Sequence, residues 1–84
     1  MYEKFYVGNI PFSSTEAELE LFFQEHLGKD VRIKASIQVD EPTQRLRGFA
    51  FVRIEAKVAG EMDKLDGEEF KGRSLVIDAV GVDS

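Results

Sequence analysis

The chain has 84 residues, of which 43% are hydrophobic and 32% charged, and its formal net charge is −5. These values are typical of one small folded domain, and no apolar run approaches the roughly 20 residues that cross a bilayer. The absence of cysteine excludes disulfides and thiolate metal sites. With no signal-peptide pattern at its start, we expect a single domain over residues 1–84 that works as a monomer inside a cell, in the cytoplasm or the nucleus, and away from membranes.

The first part of the chain predicts a strand followed by a helix. Alternating apolar residues predict a strand from Lys4 to Ile10, which Pro11 ends. Thr15 and Glu18 have the spacing of a capping box and place the start of a helix there, while Gly28 ends it. The buried face of this helix is predicted to carry Leu19, Phe22, Phe23 and Leu27. We expect its acidic residues to form a solvated outer face.

A second strand is predicted from Val31 to Val39, because apolar and polar residues alternate there without interruption. The inward positions are Val31, Ile33, Ala35, Ile37 and Val39. The outward positions are Arg32, Lys34, Ser36 and Gln38. The polar segment from Asp40 to Leu46 contains Pro42 and is predicted to be a loop.

The octamer from Arg47 to Ile54 predicts a third strand with two unlike faces. One face carries Gly48, Ala50, Val52 and Ile54, which suits a core. The other carries Arg47, Phe49, Phe51 and Arg53. A core would not tolerate unpaired arginines, and a purely solvated face would not favour adjacent phenylalanines. Planar groups with negative charge nearby fit this face, and single-stranded nucleic acid is the commonest such ligand.

The remaining elements are a helix, a short hairpin and a strand. The helix is predicted from Ala56 to Leu65, although Gly60 weakens it by about 1 kcal/mol. A hairpin around Phe70 and Gly72 precedes a strand from Leu75 to Val80. Because two helices can cover only one face of a four-stranded sheet, the other face is left open. Its exposed aromatic residues are then Tyr6, Phe49 and Phe51.

Two segments resemble the signatures of the RNA recognition motif family. The octamer Arg47–Ile54 matches the longer signature except at its last position, and Phe5–Ile10 resembles the shorter one. The resemblance implies an α+β, ferredoxin-like βαββαβ fold, in which a four-stranded antiparallel sheet packs on two helices and the signature strands are neighbours. It also implies that Tyr6 stacks a base, that Phe49 and Phe51 meet a base and sugars, and that Arg47 meets a phosphate.

The interpretation is therefore single-stranded RNA binding, with aromatic stacking on the sheet and basic residues on phosphates. The candidate RNA-binding residues are Tyr6, Phe49, Phe51, Arg47, Lys4, Asn9, Arg32, Lys34, Gln38, Arg45, Arg53 and Asp78. The departures from the family pattern are Ile54, which is expected to face the core, Gln44 in place of a loop glycine, and Glu61 in place of a small residue.

Several alternatives remain open from the sequence. The acidic helices are a candidate surface for a protein partner, although Phe70–Arg73 does not supply the Arg-x-Phe loop of such domains. Single-stranded DNA is a second alternative ligand, and a terminal extension or a dimer partner is an alternative cover for the rings. Because His26 with Ser13 or Ser14 makes no triad and no phosphate-binding loop is present, we expect no enzyme activity, no metal and no cofactor.

Overall fold

The computed structural model describes residues 1–83, with the side chains of all of them except Leu46, Val82 and Asp83. Within that range, a four-stranded antiparallel sheet of order β2-β3-β1-β6 packs with one face on the helical segments. The strands are β1 (Tyr2–Gly8), β2 (Ile33–Asp40), β3 (Arg45–Glu55) and β6 (Val76–Asp83), and β4 (Glu69–Phe70) and β5 (Arg73–Ser74) form a separate hairpin. The helical segments are α1 (Glu16–Leu27), α2 (Ala56–Ala59) and a 3₁₀ turn (Met62–Leu65). The predicted βαββαβ fold, including the adjacent signature strands, is confirmed.

The capping box places α1 as the sequence predicts. The Thr15 hydroxyl accepts from the Glu18 N–H at 3.1 Å, and the Glu18 carboxylate accepts from the Thr15 N–H at 3.0 Å. Two of the four N–H groups that a helix start leaves unpaired are satisfied in this way. The buried residues of α1 are Leu19, Phe22 and Phe23, and Leu27 packs partly against the core.

The core lies between the helices and the inward face of the sheet. Phe5 and Val7 from β1 meet Val52 and Ile54 from β3 in one buried cluster with the α1 side chains. Each fully buried side chain of this size contributes about 1.5–3 kcal/mol relative to its exposed state. Ile54 is completely buried, so the expectation that it faces the core is confirmed.

The ends of all four strands of the large sheet differ from the predictions. The strand β1 stops at Gly8 because Asn9 has φ 62°, and it starts at Tyr2 rather than at Lys4. The predicted loop shortens to residues 41–44, because Arg45 pairs with Asp40 and begins β3. The predicted strand starting at Val31 begins only at Ile33, and the last strand runs from Val76 to Asp83.

A bulge interrupts the pairing of β2 and β3. Ile37 lies opposite Ala50, whereas Val39 lies opposite Leu46, so one residue of β2 faces three of β3. Gly48, at φ 84°, lies within this bulge. Glycine reaches that conformation without the Cβ clash of other residues. The extra residues belong to β3, so the bulge is a feature of the strand pairing that the alternation of β2 does not reveal.

The predicted second helix is wrong as a continuous element. It divides into α2 and the 3₁₀ turn, with the break at Gly60 and Glu61. Ala59, Met62 and Leu65 are all buried, and their spacing of three matches the three residues per turn of a 3₁₀ helix. The break coincides with Gly60, which disfavours continuation of the α-helix by about 1 kcal/mol.

Carboxylates cover both edges of the sheet. On the β2 edge, Glu20 accepts from the Ala35 N–H and Glu16 accepts from the Ile37 N–H, each at 2.9 Å. On the β6 edge, Asp66 accepts from a backbone N–H at 2.8 Å. Unpaired edge groups are a template for pairing with other chains, and these bonds occupy them. The acidic face of α1 that was predicted to be solvated has this second role, since Glu16 is exposed and Glu20 is half-buried while both accept from β2.

An ion pair ties the β4–β5 hairpin to the start of α1. The Lys71 ammonium lies 3.0 Å from a Glu18 carboxylate oxygen and donates to the Ser13 carbonyl at 3.3 Å. The bond from Lys71, followed by that from the Thr15 N–H, holds the pKa of Glu18 below its ordinary value.

No helix among residues 1–83 is both long and apolar enough to cross a membrane.

Candidate nucleic-acid interface

Three aromatic rings form one cluster on the sheet face opposite the helices. The pairing of β1 with β3 sets Tyr6 opposite Phe51 and Gly8 opposite Phe49. The Tyr6 and Phe49 ring centroids are 5.4 Å apart, Phe49 and Phe51 are 5.7 Å apart, and Tyr6 and Phe51 are 6.4 Å apart. Because the rings pack on one another, each is half-buried rather than fully exposed. We call these three side chains the ring platform.

Two cations lie over the faces of the ring platform. The Lys4 ammonium is 4.5 Å from the Phe51 centroid, and the Arg47 guanidinium carbon is 5.6 Å from the Phe49 centroid. Such contacts are worth about 0.5–1 kcal/mol at exposed sites. The free protein therefore holds two of its candidate phosphate ligands directly above the rings that are candidates for stacking.

Beside Phe51 the sheet forms a depression of about 480 Å³ with a basic rim. Lys34 lies opposite Arg53 in the β2–β3 pairing, next to the Ser36–Phe51 pair. The residues that line the depression are Lys4, Lys34, Ser36, Gln38, Phe51 and Arg53. Five of these were predicted from the sequence, and Ser36 was predicted only as an outward position. The structure thus brings ammonium and guanidinium groups and one ring around a single hollow.

The Tyr6 ring lies over Gly8. A Cβ built on Gly8 would lie 2.6 Å from the Tyr6 hydroxyl oxygen and 2.7–2.9 Å from two ring carbons. No larger residue fits at this position while the ring keeps its place. The absence of a side chain at Gly8 therefore positions the Tyr6 ring against Phe49.

The other predicted residues lie around the ring platform at different distances. Asp78 is exposed and directly opposite Tyr6 in the β1–β6 pairing. Arg32 precedes β2 at the sheet edge, and Arg45 lies at the hairpin end of β3, so neither belongs to the ring platform. Asn9 is exposed, and its side-chain amide donates to the Ser74 carbonyl at 2.8 Å. That bond gives Asn9 a role in fixing the loop after β1, and its contact with RNA stays a prediction.

Two side chains that the sequence analysis did not select also border the ring platform. Phe12 is 69% exposed and lines a second depression with Tyr6, Gly48 and Arg73, among others. The sequence does contain a signal for Phe12, because an aromatic residue directly after Pro11 belongs to no apolar strand or helix pattern. Arg73 carries no such signal, since its position depends on how the β4–β5 hairpin folds back.

Comparison with known proteins gives one consistent answer. The model of the RNA recognition motif family matches residues 5–76. A 31 kDa chloroplastic ribonucleoprotein of Nicotiana sylvestris is 42% identical over 74 residues, which are 86% of this chain and 22% of that protein. The protein RbpA of Synechocystis is 38% identical over 74 residues, which are 86% of this chain and 70% of that protein.

A solved structure agrees with these relatives. The crystal structure of RNA Binding Protein PG1 superposes with a TM-score of 0.78 at 30% identity, covering 93% of each chain. The chain spans only about a fifth of the length of the Nicotiana relative, so the similarity concerns one domain. Since the family model covers most of the sequence and the signature residues occupy adjacent central strands, the chain belongs to the RNA recognition motif family.

Proposed function

We propose that residues 1–84 form a single domain that binds single-stranded RNA on the ring platform. The observation that carries the proposal is the cluster of Tyr6, Phe49 and Phe51 within 6.4 Å of one another on the face away from the helices. Single-stranded bases offer flat faces that stack on such rings. The flanking Arg47 and Lys4 lie 5.6 and 4.5 Å from the Phe49 and Phe51 centroids and supply positive charge for the phosphates of a stacked strand.

Stacking a base requires the cations above the rings to move. Leaving a ring face costs Lys4 or Arg47 about 0.5–1 kcal/mol, whereas stacking a base yields about 1–3 kcal/mol. The exchange is favourable, and the displaced cation is then free to bind a phosphate. Two or three stacked bases contribute about 2–9 kcal/mol before the cost of ordering the strand is subtracted. Affinities on the order of micromolar require about 8 kcal/mol, so the phosphate contacts supply the remainder.

The distribution of charge supports this ligand despite the net charge of −5. Lys4, Lys34 and Arg53 gather around one depression on the open face. Glu16 and Glu20 bond to the sheet edge instead. With about three phosphates in contact, the slope of log K against log salt should be about −2, since each contributes about −0.7 for a single strand.

The names of the relatives agree with the proposal. The Nicotiana relative is named a ribonucleoprotein, and the structural neighbour is titled an RNA-binding protein. A protein-interaction role on the acidic helices is not favoured, because the sheet aromatics are retained and the carboxylates of Glu16, Glu18 and Glu20 already have partners. We further propose that the domain binds as a monomer, without catalysis, inside a cell.

The test is the binding of a randomised RNA octamer, measured by fluorescence anisotropy. Replacing Phe49 and Phe51 together with alanine should weaken binding by at least about 5-fold, since at least one stacked base and the contact with its sugars are lost. Leucine at both positions keeps apolar packing without the flat faces, and should weaken binding almost as much. The matched control is Leu21→Ala, because Leu21 is exposed on α1.

The outcomes separate the hypotheses. Unchanged binding by a folded leucine variant would refute stacking on the ring platform. A DNA octamer of matched composition, measured in parallel, decides which nucleic acid the domain prefers. Equal or tighter binding of DNA would replace RNA in the proposal, while leaving the stacking mechanism in place.

A further inference from the structure

A second depression, separate from the one beside Phe51, lies at the other end of the ring platform. It has a volume of about 440 Å³, within the range of sites for small ligands. Its prominent side chains are Tyr6, Phe12, Arg47, Arg73 and Val76. Tyr6 belongs both to this hollow and to the ring platform, so the two surfaces are continuous.

Phe12 lies on the surface, unlike the phenylalanines that form the core. Its side chain is 69% exposed, whereas the core takes Phe5, Phe22 and Phe23. The edge of its ring lies 3.8 Å from the position of a Cβ built on Gly48, so the ring stands beside the β3 bulge. Phe12 is not an isolated surface residue, because it lines the hollow together with Tyr6 and Val76, and contiguous exposed apolar surface marks binding sites more often than single residues do.

The loop that carries Phe12 is fixed on both sides. The Ile10 N–H donates to the Gly48 carbonyl and the Ser14 N–H donates to the Pro11 carbonyl, each at 3.0 Å. The Asn9 amide adds its bond to the Ser74 carbonyl. Because these bonds order the loop before any ligand arrives, binding at Phe12 does not carry the entropic cost of ordering it.

Two guanidinium groups from different elements meet at this hollow. Arg47 comes from β3 and Arg73 from β5, and both line the depression. A planar guanidinium can bind two phosphate oxygens at once. An apolar ring with two such groups matches one nucleotide, which has a flat base and an anionic phosphate. A purely apolar peptide segment would leave both charges without a partner.

We propose that this depression is a further nucleotide subsite that extends the ring platform. Phe12 stacks the base of the nucleotide next to the one on Tyr6, and Arg47 and Arg73 bind its phosphate. The inference rests on the proposed function, since it lengthens the RNA footprint by one nucleotide. It differs from that proposal in one measurable respect, because it predicts how affinity depends on oligonucleotide length.

The test measures affinity for randomised RNA of three to eight nucleotides. For the parent, affinity should rise when the strand becomes long enough to reach Phe12. The Phe12→Ala variant should lack this rise, binding long oligomers about 5- to 150-fold more weakly than the parent and the shortest equally well. Phe12→Trp should retain the rise, and Leu21→Ala should match the parent at every length.

A second variant tests the phosphate contact. Arg73→Met should reduce the salt slope for long oligomers by about 0.7 and leave it unchanged for the shortest. If Phe12→Ala follows the parent at every length while the Phe49 and Phe51 double variant loses binding, the subsite does not exist and the proposed function stands. If neither change affects binding, the proposed function fails as well.

Discussion

Gly8→Ala is expected to displace Tyr6 without unfolding the domain. The added Cβ would approach the Tyr6 hydroxyl oxygen to 2.6 Å and ring carbons to 2.7 and 2.9 Å. All of these atoms belong to the far end of a rotatable side chain. The collision is therefore relieved by moving the ring, and the backbone of β1 can keep its pairing with β3.

The stability change should be small because its two contributions oppose each other. Alanine in place of glycine at a permitted backbone conformation stabilises by about 0.4–1 kcal/mol through the unfolded chain. A Tyr6 side chain forced away from its preferred rotamer costs about 0.5–1.5 kcal/mol. The free energy of unfolding should thus change by less than about 1 kcal/mol. RNA affinity should fall by up to the contribution of one stacked base, about 5- to 150-fold.

A double-mutant cycle with Tyr6→Ala tests this mechanism. Affinity for a randomised RNA octamer is measured by anisotropy for the parent, both single variants and the double variant, and urea unfolding reports their stability. Because Gly8 acts through Tyr6, its substitution should have no further effect once the ring is removed. Binding by Gly8→Ala equal to the parent, or losses that add in the double variant, would refute the idea that Gly8 positions the ring.

Three further predictions concern the edge carboxylates, the α1 ion pair and the β3 bulge. Replacing Glu16 and Glu20 with alanine should lower the free energy of unfolding by about 1–3 kcal/mol in urea titrations and promote self-association, seen by sedimentation, since two edge N–H groups lose acceptors. The lowered pKa of Glu18 stabilises the fold above the ordinary carboxyl pKa of about 4.3, and this stability is lost as the pH falls through the lower folded value. Thermal unfolding between pH 6 and 2 should show a shallower acid loss for Lys71→Met. Gly48→Ala should destabilise by about 1–2 kcal/mol because a φ of 84° is unfavourable for a residue with a Cβ. A steric clash does not contribute, because the new Cβ would lie 3.8 Å from the nearest atom, on the Phe12 ring.

Each of these predictions has a matched control or an outcome that would contradict it. Glutamine in place of Glu16 and Glu20 keeps an acceptor, so a loss as large as that of alanine would exclude the hydrogen bonds as its cause. An unchanged acid profile for Lys71→Met would show that the ion pair does not set the Glu18 pKa. Gly60→Ala has an ordinary φ of −63° and an open Cβ position, so a cost there equal to that at Gly48 would contradict the strain explanation.

The sequence predicted those features that depend on residues close together in the chain. Alternation located the strands, and the Thr15–Glu18 spacing located the start of α1. The outward aromatic residues followed from the same alternation, once two helices were assigned to one face of the sheet. The division of the second helix was not predicted, although Gly60 indicated a weak point there. The burial of Met62 and Leu65 at 3₁₀ spacing is a tertiary feature that the local pattern does not distinguish from α-helical burial.

Contacts between residues far apart in the chain could not be predicted from the alternation of apolar and polar residues. The bond from Glu20 to Ala35 spans 15 positions, and the bond from Asn9 to Ser74 spans 65. A glutamate or an asparagine in the sequence does not show which distant backbone group its side chain will bond. Phe12 could be recognised as lacking a core position, but its place beside Gly48 depends on a β3 bulge that no alternation reveals.

The net charge of −5 is a poor guide to the ligand because most acidic residues lie in the helices and loops, although Asp78 lies on the sheet opposite Tyr6. The outer surface of α1 is about a helix diameter, 10 Å, beyond the sheet, while the screening length is about 8 Å at physiological ionic strength. An anion at the ring platform is therefore attracted mainly by Lys4, Lys34 and Arg47 and is opposed locally by Asp78, which pairs with Tyr6. At about 0.01 M salt the screening length of about 30 Å exceeds the 20 Å thickness of the domain. At such low salt the acidic groups of the whole domain repel the strand more strongly. The plot of log K against log salt should therefore flatten as the salt concentration approaches about 0.01 M.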